Sequence, residues 1–144
     1  MKHQLTKYTL LFVIIACVFS CKKDAKAMIP HITGYWEIEK VINANNEERT
    51  YTVNQVIDYF IVNDSLEGFR KKLKPNFNGG YETSDDKEPF TLLVNEGEIM
   101  INYKTLYDEW QETIASANET QMIIVNDLGT QYIYKRFEGI NINE

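Results

Sequence analysis

Short β-prone runs, broken at regular intervals by turn residues, constrain this chain more than any other feature. "PFTLLV" (89–94), "NEG" and "EIMINY" (98–103) form one unit; "TQMIIVN" (120–126), "DLG" and "TQYIYKRF" (130–137) form another. Runs of β-branched and aromatic residues joined by three-residue turn signals predict antiparallel hairpins. The run from Gly34 to Ile42 alternates, with Trp36 and Ile38 on one face and Glu37 and Glu39 on the other. "NANNEERT" (43–50) reads as a polar loop, and "QVIDYFIV" (55–62) as a strand ended by "NDS". "LEGFRKKLK" (66–74) reads as a strand stopped by Pro75, and "NFNGGYETSDD" as a turn between short extended pieces.

One segment is ambiguous. In "LYDEWQETIAS" (106–116), Leu106, Trp110 and Ile114 fit a helix face, while Trp110, Glu112 and Ile114 fit one face of a strand. Neighbouring strands favour strand. The total is about eight short antiparallel strands, which must manage their edges. An all-β, up-and-down antiparallel barrel removes them by closure, with a sandwich as the alternative.

The N-terminus reads as an export signal. Lys2, His3 and Lys7 precede the apolar stretch "LLFVIIACVF", too short to span a membrane. "VFSC" (18–21) then resembles a bacterial lipobox, with Phe19 bulkier than the usual spacer. That resemblance implies cleavage before Cys21 and its acylation, hence a membrane anchor without a spanning helix. The chain divides into a lipoprotein signal (1–20), a lipidated Cys and flexible tether (21–31) containing the charged "KKDAKA", and one domain (32–144). With Lys2 and Lys7 gone, the formal charge falls from −6 to −8. An acidic domain argues against nucleic acid, whose binding rests on phosphate neutralisation. Cys17 leaves with the signal and Cys21 is lipidated, so the fold stands without a disulfide.

Gly34-x-Trp36 at the first strand, together with Arg136 at the end of the last, resembles the lipocalin superfamily. More closely, the chain resembles small lipocalin-like lipoproteins of Gram-negative envelopes, and the resemblance covers nearly all of 32–137. The resemblance implies that Gly34 lets the entering chain pass close to the barrel floor, that Trp36 packs across the closed end, and that Arg136 lies over the indole. "MIPHIT" (28–33) is then a short turn that plugs the barrel. The Thr-Asp-Tyr turn of classical lipocalins has no match here, which separates the architecture from classical small-molecule transport.

The residue types point away from catalysis. One mature histidine, His31, and no free thiol exclude Cys–His chemistry and a multi-His zinc site. No nucleophile elbow surrounds Ser65, Ser84 or Ser116, and no phosphate-cradling loop appears. Asp85, Asp86 and Glu88 match no calcium loop and read as solvated charge. Asp108, Glu109 and Glu112 read as polar residues around a core Trp110 rather than paired catalytic carboxylates. We expect no cofactor and no metal.

"FRKKLK" (69–74) is the unusual composition: four cations in an acidic protein. Arg70, Lys72 and Lys74 share one strand face, Phe69 and Leu73 the other. With Phe69 and Leu73 inward, the cations form a solvated stripe, guard an edge or meet anionic partners; with the cations inward, Arg70 and Lys72 suit an anionic ligand. Tyr103, with Tyr59, Tyr132 and Tyr134, either lines a cavity or fills a core. Two functions remain open: a monomeric envelope barrel binding a small hydrophobic or amphipathic ligand, contacted by Arg70, Lys72 and Tyr103; or a filled barrel contacting another envelope protein. A single acid in "KKDAKA" favours the periplasmic face of the outer membrane.

Overall fold

A computed structural model describes residues 24–139. It contains ten strands: β1 (Gly34–Ile42), β2 (Glu48–Thr50), β3 (Ile57–Val62), β4 (Glu67–Pro75), β5 (Tyr81–Glu82), β6 (Glu88–Val94), β7 (Ile99–Lys104), β8 (Glu109–Ala117), β9 (Gln121–Asn126) and β10 (Gln131–Arg136). Eight of them form a meander in which each strand pairs with the next, and β10 returns to β1 to close the barrel. The two short strands are extras: β2 pairs with the far half of β1, and β5 with the end of β4. The loop expected at 43–50 therefore carries a strand at its C-terminal side. The ambiguous 106–116 segment is a turn followed by β8.

Closure needs bending. β-Bulges interrupt the register of β1 against β10 between Ile38 and Lys40, and of β8 against β9 between Ile114 and Ser116. An extra residue in one strand bends it and increases the local twist, as a curved wall requires.

A recurring five-residue turn joins much of the meander. At Asn43, Asn63, Asn76 and Asn126 the side-chain oxygen accepts the backbone N–H groups two and four residues on. The fourth residue of each turn has positive φ: Asn46, Leu66, Gly79 and Gly129. Asparagine supplies the acceptor that an open turn lacks, and glycine or asparagine tolerates the left-handed position. Leu66 is the exception (φ 62°), and its side chain packs against the core.

The connections at 63–66, 95–98 and 118–120 lie at one end of the barrel, with Gly34 and Arg136; those at 43–56, 76–87, 105–108 and 127–130 lie at the other. The first end is closed. Residues 25–28 form a 3-10 turn and Ile29–Ile32 a helical turn with Pro30 in its first positions, where a missing N–H costs nothing. Ala25, Met28 and Ile32 are buried in one cluster with Trp36, Ile114, Met122 and Ile124. This corrects the tether: from residue 24 onward the segment expected to be flexible is folded onto the barrel floor, because its small and apolar positions complete the core. The export signal, Cys21 and the first tether residues lie outside the described residues. No helix among the described residues is long and apolar enough to cross a membrane.

Candidate functional site

The floor and the mouth of the barrel are built differently. At the floor, Trp36 is fully buried, and its indole N–H donates to the Ile32 carbonyl at 2.8 Å. Arg136 Cζ lies 3.7 Å from the ring centroid. The same guanidinium donates to the carbonyls of His31 (2.9 Å), Thr33 (3.1 Å) and Glu119 (3.1 Å). It thus ties the helical turn, the start of β1 and the β8–β9 turn to the last strand. Burial lowers the Arg136 pKa from its ordinary value, yet a guanidinium stays charged in water. Gly34 makes this possible: its φ is +143°, and a Cβ there would overlap Arg136 Nη1. Of His31, only the backbone is engaged in this network.

Above the floor the interior is apolar: Phe60, Phe90, Leu92, Ile99 and Ile101 are all buried. Toward the open end it becomes charged. Arg70 points inward from β4, its side chain 11% exposed. Its Nε donates to Glu88 Oε2 at 2.5 Å and its Nη1 to Glu112 Oε2 at 3.1 Å. Its Cζ lies 4.7 Å from the Tyr103 ring and 6.0 Å from the Phe60 ring. Tyr103 in turn stacks on Trp110, with centroids 4.6 Å apart. Burial opposes the charge on Arg70, but the surrounding Tyr103, Glu112 and Glu88 outweigh it, and the net shift is upward.

A second pair sits beside the first. Asp58, buried on β3, accepts from the Tyr134 hydroxyl at 3.0 Å and faces Lys72 Nζ at 2.5 Å. Burial raises the Tyr103 and Tyr134 pKa values well above the phenol range; Asp58 adds to the rise at Tyr134. The Tyr103 hydroxyl faces the Glu112 carboxylate, whose charge and hydrogen bond, with the charge of Glu88, add to the rise at Tyr103, although the contact falls outside strict hydrogen-bond geometry.

Arg70 and Tyr103 are therefore brought together inside the barrel, while Lys72 reaches the buried Asp58 from the same face of β4 and stays half exposed. Of the cationic face of "FRKKLK", Arg70 turns inward while Lys72 and Lys74 stay exposed, so the reading of a solvated stripe is corrected at Arg70 alone. Register decides it: Arg70 pairs with Phe60 and Lys72 with Asp58, both inward positions of β3. The opposite face of β4 is also occupied. Leu73 is buried where it pairs with Ile57, apart from the interior cluster, and Phe69 meets Tyr59 at 6.2 Å. Glu88 and Glu112, read from sequence as solvated or outward, are the partners of Arg70; Asp85 and Asp86 remain exposed. Asp58 was not singled out from sequence. Its signal was an acid two positions before Phe60, on the inward face of a β-branched run. No group of three or more His, Cys, Asp or Glu side chains that could hold a metal ion occurs among the described residues.

Cavities lie at both ends of the barrel. One of about 710 Å3 sits at the open rim between Lys87, Glu88, Pro89 and Lys104, Leu106, Tyr107. Another of about 430 Å3 sits at the closed end between residues 24–26 and 94–97. The open-end connections carry exposed apolar side chains at Val53, Phe77, Leu106, Tyr107 and Leu128; the closed-end turns carry none among the exposed large hydrophobics.

A family model described as the lipocalin-like domain matches residues 32–124. Two solved structures also align. One is a lipocalin-like protein from Bacteroides uniformis (13% identity, 74% of this chain and 99% of that chain, TM-score 0.48). The other is an uncharacterized protein from Bacteroides eggerthii (13% identity, 74% and 99%, TM-score 0.46). No curated protein sequence matches the chain. Since the family model covers well over half of the chain, and the strands it spans form a closed antiparallel meander, the chain belongs to the lipocalin-like domain family.

Proposed function

We propose that this protein is an envelope lipoprotein, anchored through Cys21, whose filled barrel is a non-enzymatic scaffold that presents its open rim to another envelope component. The observation that carries this reading is the occupied interior. Trp36, Phe60, Phe90 and Tyr103 fill it, and Arg70, held by Glu88 and Glu112, caps it. A cargo barrel needs an enclosed space of a few hundred Å3; the cavity of about 710 Å3 lies at the open rim, lined by 85–89 and 104–107 rather than by Trp36, Phe60, Phe90 and Tyr103. Of the two functions left open by the sequence, the interaction module is the better supported.

The rim supports it too. Val53, Phe77, Leu106, Tyr107 and Leu128 are exposed on the loops of one end, and exposed apolar side chains gathered on one surface mark interaction sites. The anchor adds orientation. Cys21 precedes Asp24, at the closed end, by three residues, a reach of about 10 Å at most. Acylation of Cys21 would hold the closed end against the membrane and turn the rim away from it.

Site-specific photo-crosslinking in the native envelope tests this. Crosslinkers at Phe77 and Leu106 are expected to trap one protein, and a crosslinker at Glu119, at the closed end, is expected to leave it untrapped. Equal labelling from both ends, or none from the rim, would contradict the proposal.

A further inference from the structure

The turn at 76–80 joins β4 to β5 and differs from the other asparagine turns at its third residue. Asn76 Oδ1 accepts the N–H groups of Asn78 (3.1 Å) and Gly80 (2.9 Å), and the Asn76 N–H donates to the Gly80 carbonyl at 3.0 Å. These bonds hold Pro75 opposite Tyr81, which stacks on Tyr35 with centroids 5.1 Å apart. Phe77, at the tip, is 75% exposed on the open rim. Asn78 is exposed too, and its side-chain amide has no hydrogen bond among the described residues. It is the only asparagine of the chain followed by glycine. The Gly79 N–H is held loosely: it donates to the Asn76 carbonyl at 3.2 Å, where the equivalent bonds of the turns at Asn43, Asn63 and Asn126 are 3.0 Å. A Cβ at Gly79 would meet nothing within 4 Å, so the turn is open on that side.

We propose that Asn78 is a self-modifying site of the folded protein, converted by water to aspartate and isoaspartate without an enzyme. The Gly79 nitrogen gives its proton to solvent and bonds to Asn78 Cγ. The Cγ–Nδ2 bond breaks, ammonia leaves, and a five-membered succinimide remains. Water then opens the ring at either carbonyl: at Cγ it gives aspartate, and at the main-chain carbon it gives isoaspartate. The balance is one water consumed and one ammonium released for each new carboxylate. Glycine matters because it has no Cβ to obstruct the attack. Asn45, at the equivalent place in the first turn, is followed by Asn46 and lacks that freedom. The isoaspartate route adds a methylene to the main chain between residues 78 and 79. A five-residue turn cannot take it up and keep both bonds between Asn76 and Gly80. Both products also place a new negative charge beside Phe77. This inference goes beyond the scaffold reading, since the chemistry belongs to the turn and needs no partner at the rim.

Ageing of the purified full-length chain at mildly alkaline pH tests it, read by intact mass and peptide mapping. A sample unfolded in urea is aged in parallel. The folded chain is expected to gain about 1 Da, first at Asn78. Its rate there is expected to be no less than about a tenth of the unfolded rate, because the turn is exposed and opens locally. Asn78→Gln is expected to abolish this gain, since the ring would need six members. Asn46→Gly is expected to transplant the reaction to Asn45. In the isoaspartyl chain the Gly80 amide is expected to exchange with solvent at least about tenfold faster than in the fresh chain. Reaction at Asn78 in urea alone, or first at another asparagine of the folded chain, would overturn the proposal. So would an unreactive Asn45 in Asn46→Gly, or Gly80 protection that survives in the isoaspartyl chain.

Discussion

The Arg136 guanidinium lies over the indole of Trp36, its Cζ 3.7 Å from the ring centroid, and joins the first strand of the barrel to the last. The same guanidinium reaches three backbone carbonyls, so one side chain holds the floor together. Trp36→Ala is expected to cost about 3–5 kcal/mol, as for other buried large aromatics. Arg136→Lys keeps the charge but loses the planar fork and most of the carbonyl contacts, at about 1–3 kcal/mol. Gly34→Ala is expected to cost as much, and a double-mutant cycle with Arg136 should show the two effects to be non-additive, because the new Cβ displaces Arg136. Urea denaturation gives all three values.

The ion pair at the mouth makes a prediction of opposite signs. Arg70→Met alone leaves Glu112 buried beside an apolar side chain and is expected to destabilise by about 3–5 kcal/mol. Adding Glu112→Leu removes the stranded charge and is expected to recover most of that loss. If the double variant were as unstable as the single one, the energetics assigned to this pair would be wrong.

Alkaline stability follows from the buried tyrosines. Burial raises the folded pKa values of Tyr103 and Tyr134 well above that of an unfolded tyrosine, about 10. Above pH 10 the folded state therefore holds protons that the unfolded state has released, and stability falls as pH rises. Below pH 10 these two residues contribute no pH dependence. The expected slope is about 1.4 kcal/mol per pH unit for each tyrosine. Tyr103→Phe should roughly halve the slope between pH 10 and 12 in urea titrations.

The asparagine turns offer a stabilising change. Asn46 sits at φ 61° on an exposed loop, where glycine is at ease. Asn46→Gly is expected to change stability by less than about 1 kcal/mol, in the stabilising direction. Leu66→Gly, at the equivalent place in the next such turn, is expected to destabilise, because Leu66 packs on the core. Thermal melts of the two variants should move in opposite directions.

The hairpins and the floor were legible in the sequence because their signals are local. Turn residues flank β-branched runs, and Gly34, Trp36 and Arg136 stand at strand ends that closure must bring together. Two things were hidden. "KKDAKA" has the composition of a linker, and only the barrel floor, assembled from distant strands, explains why Ala25 is buried. The direction of "FRKKLK" was hidden because both faces of β4 are covered: Arg70 and Lys72 meet interior acids, while Phe69 and Leu73 meet Tyr59 and Ile57 on the other side. A one-residue choice of face cannot be made from alternation when neither face is simply solvent. The complementary acids were present, at Asp58, Glu88 and Glu112, but only strand pairing shows that they face the cations.

The account turns on a barrel filled by its own side chains. A high-resolution crystal structure of the protein isolated from its own envelope tests that most directly. It should show Arg70 between Glu88 and Glu112, with the space down to Trp36 occupied by Phe60, Phe90 and the isoleucines alone. Elongated density running from Arg70 to the Trp36 floor, with those side chains turned aside, would contradict it.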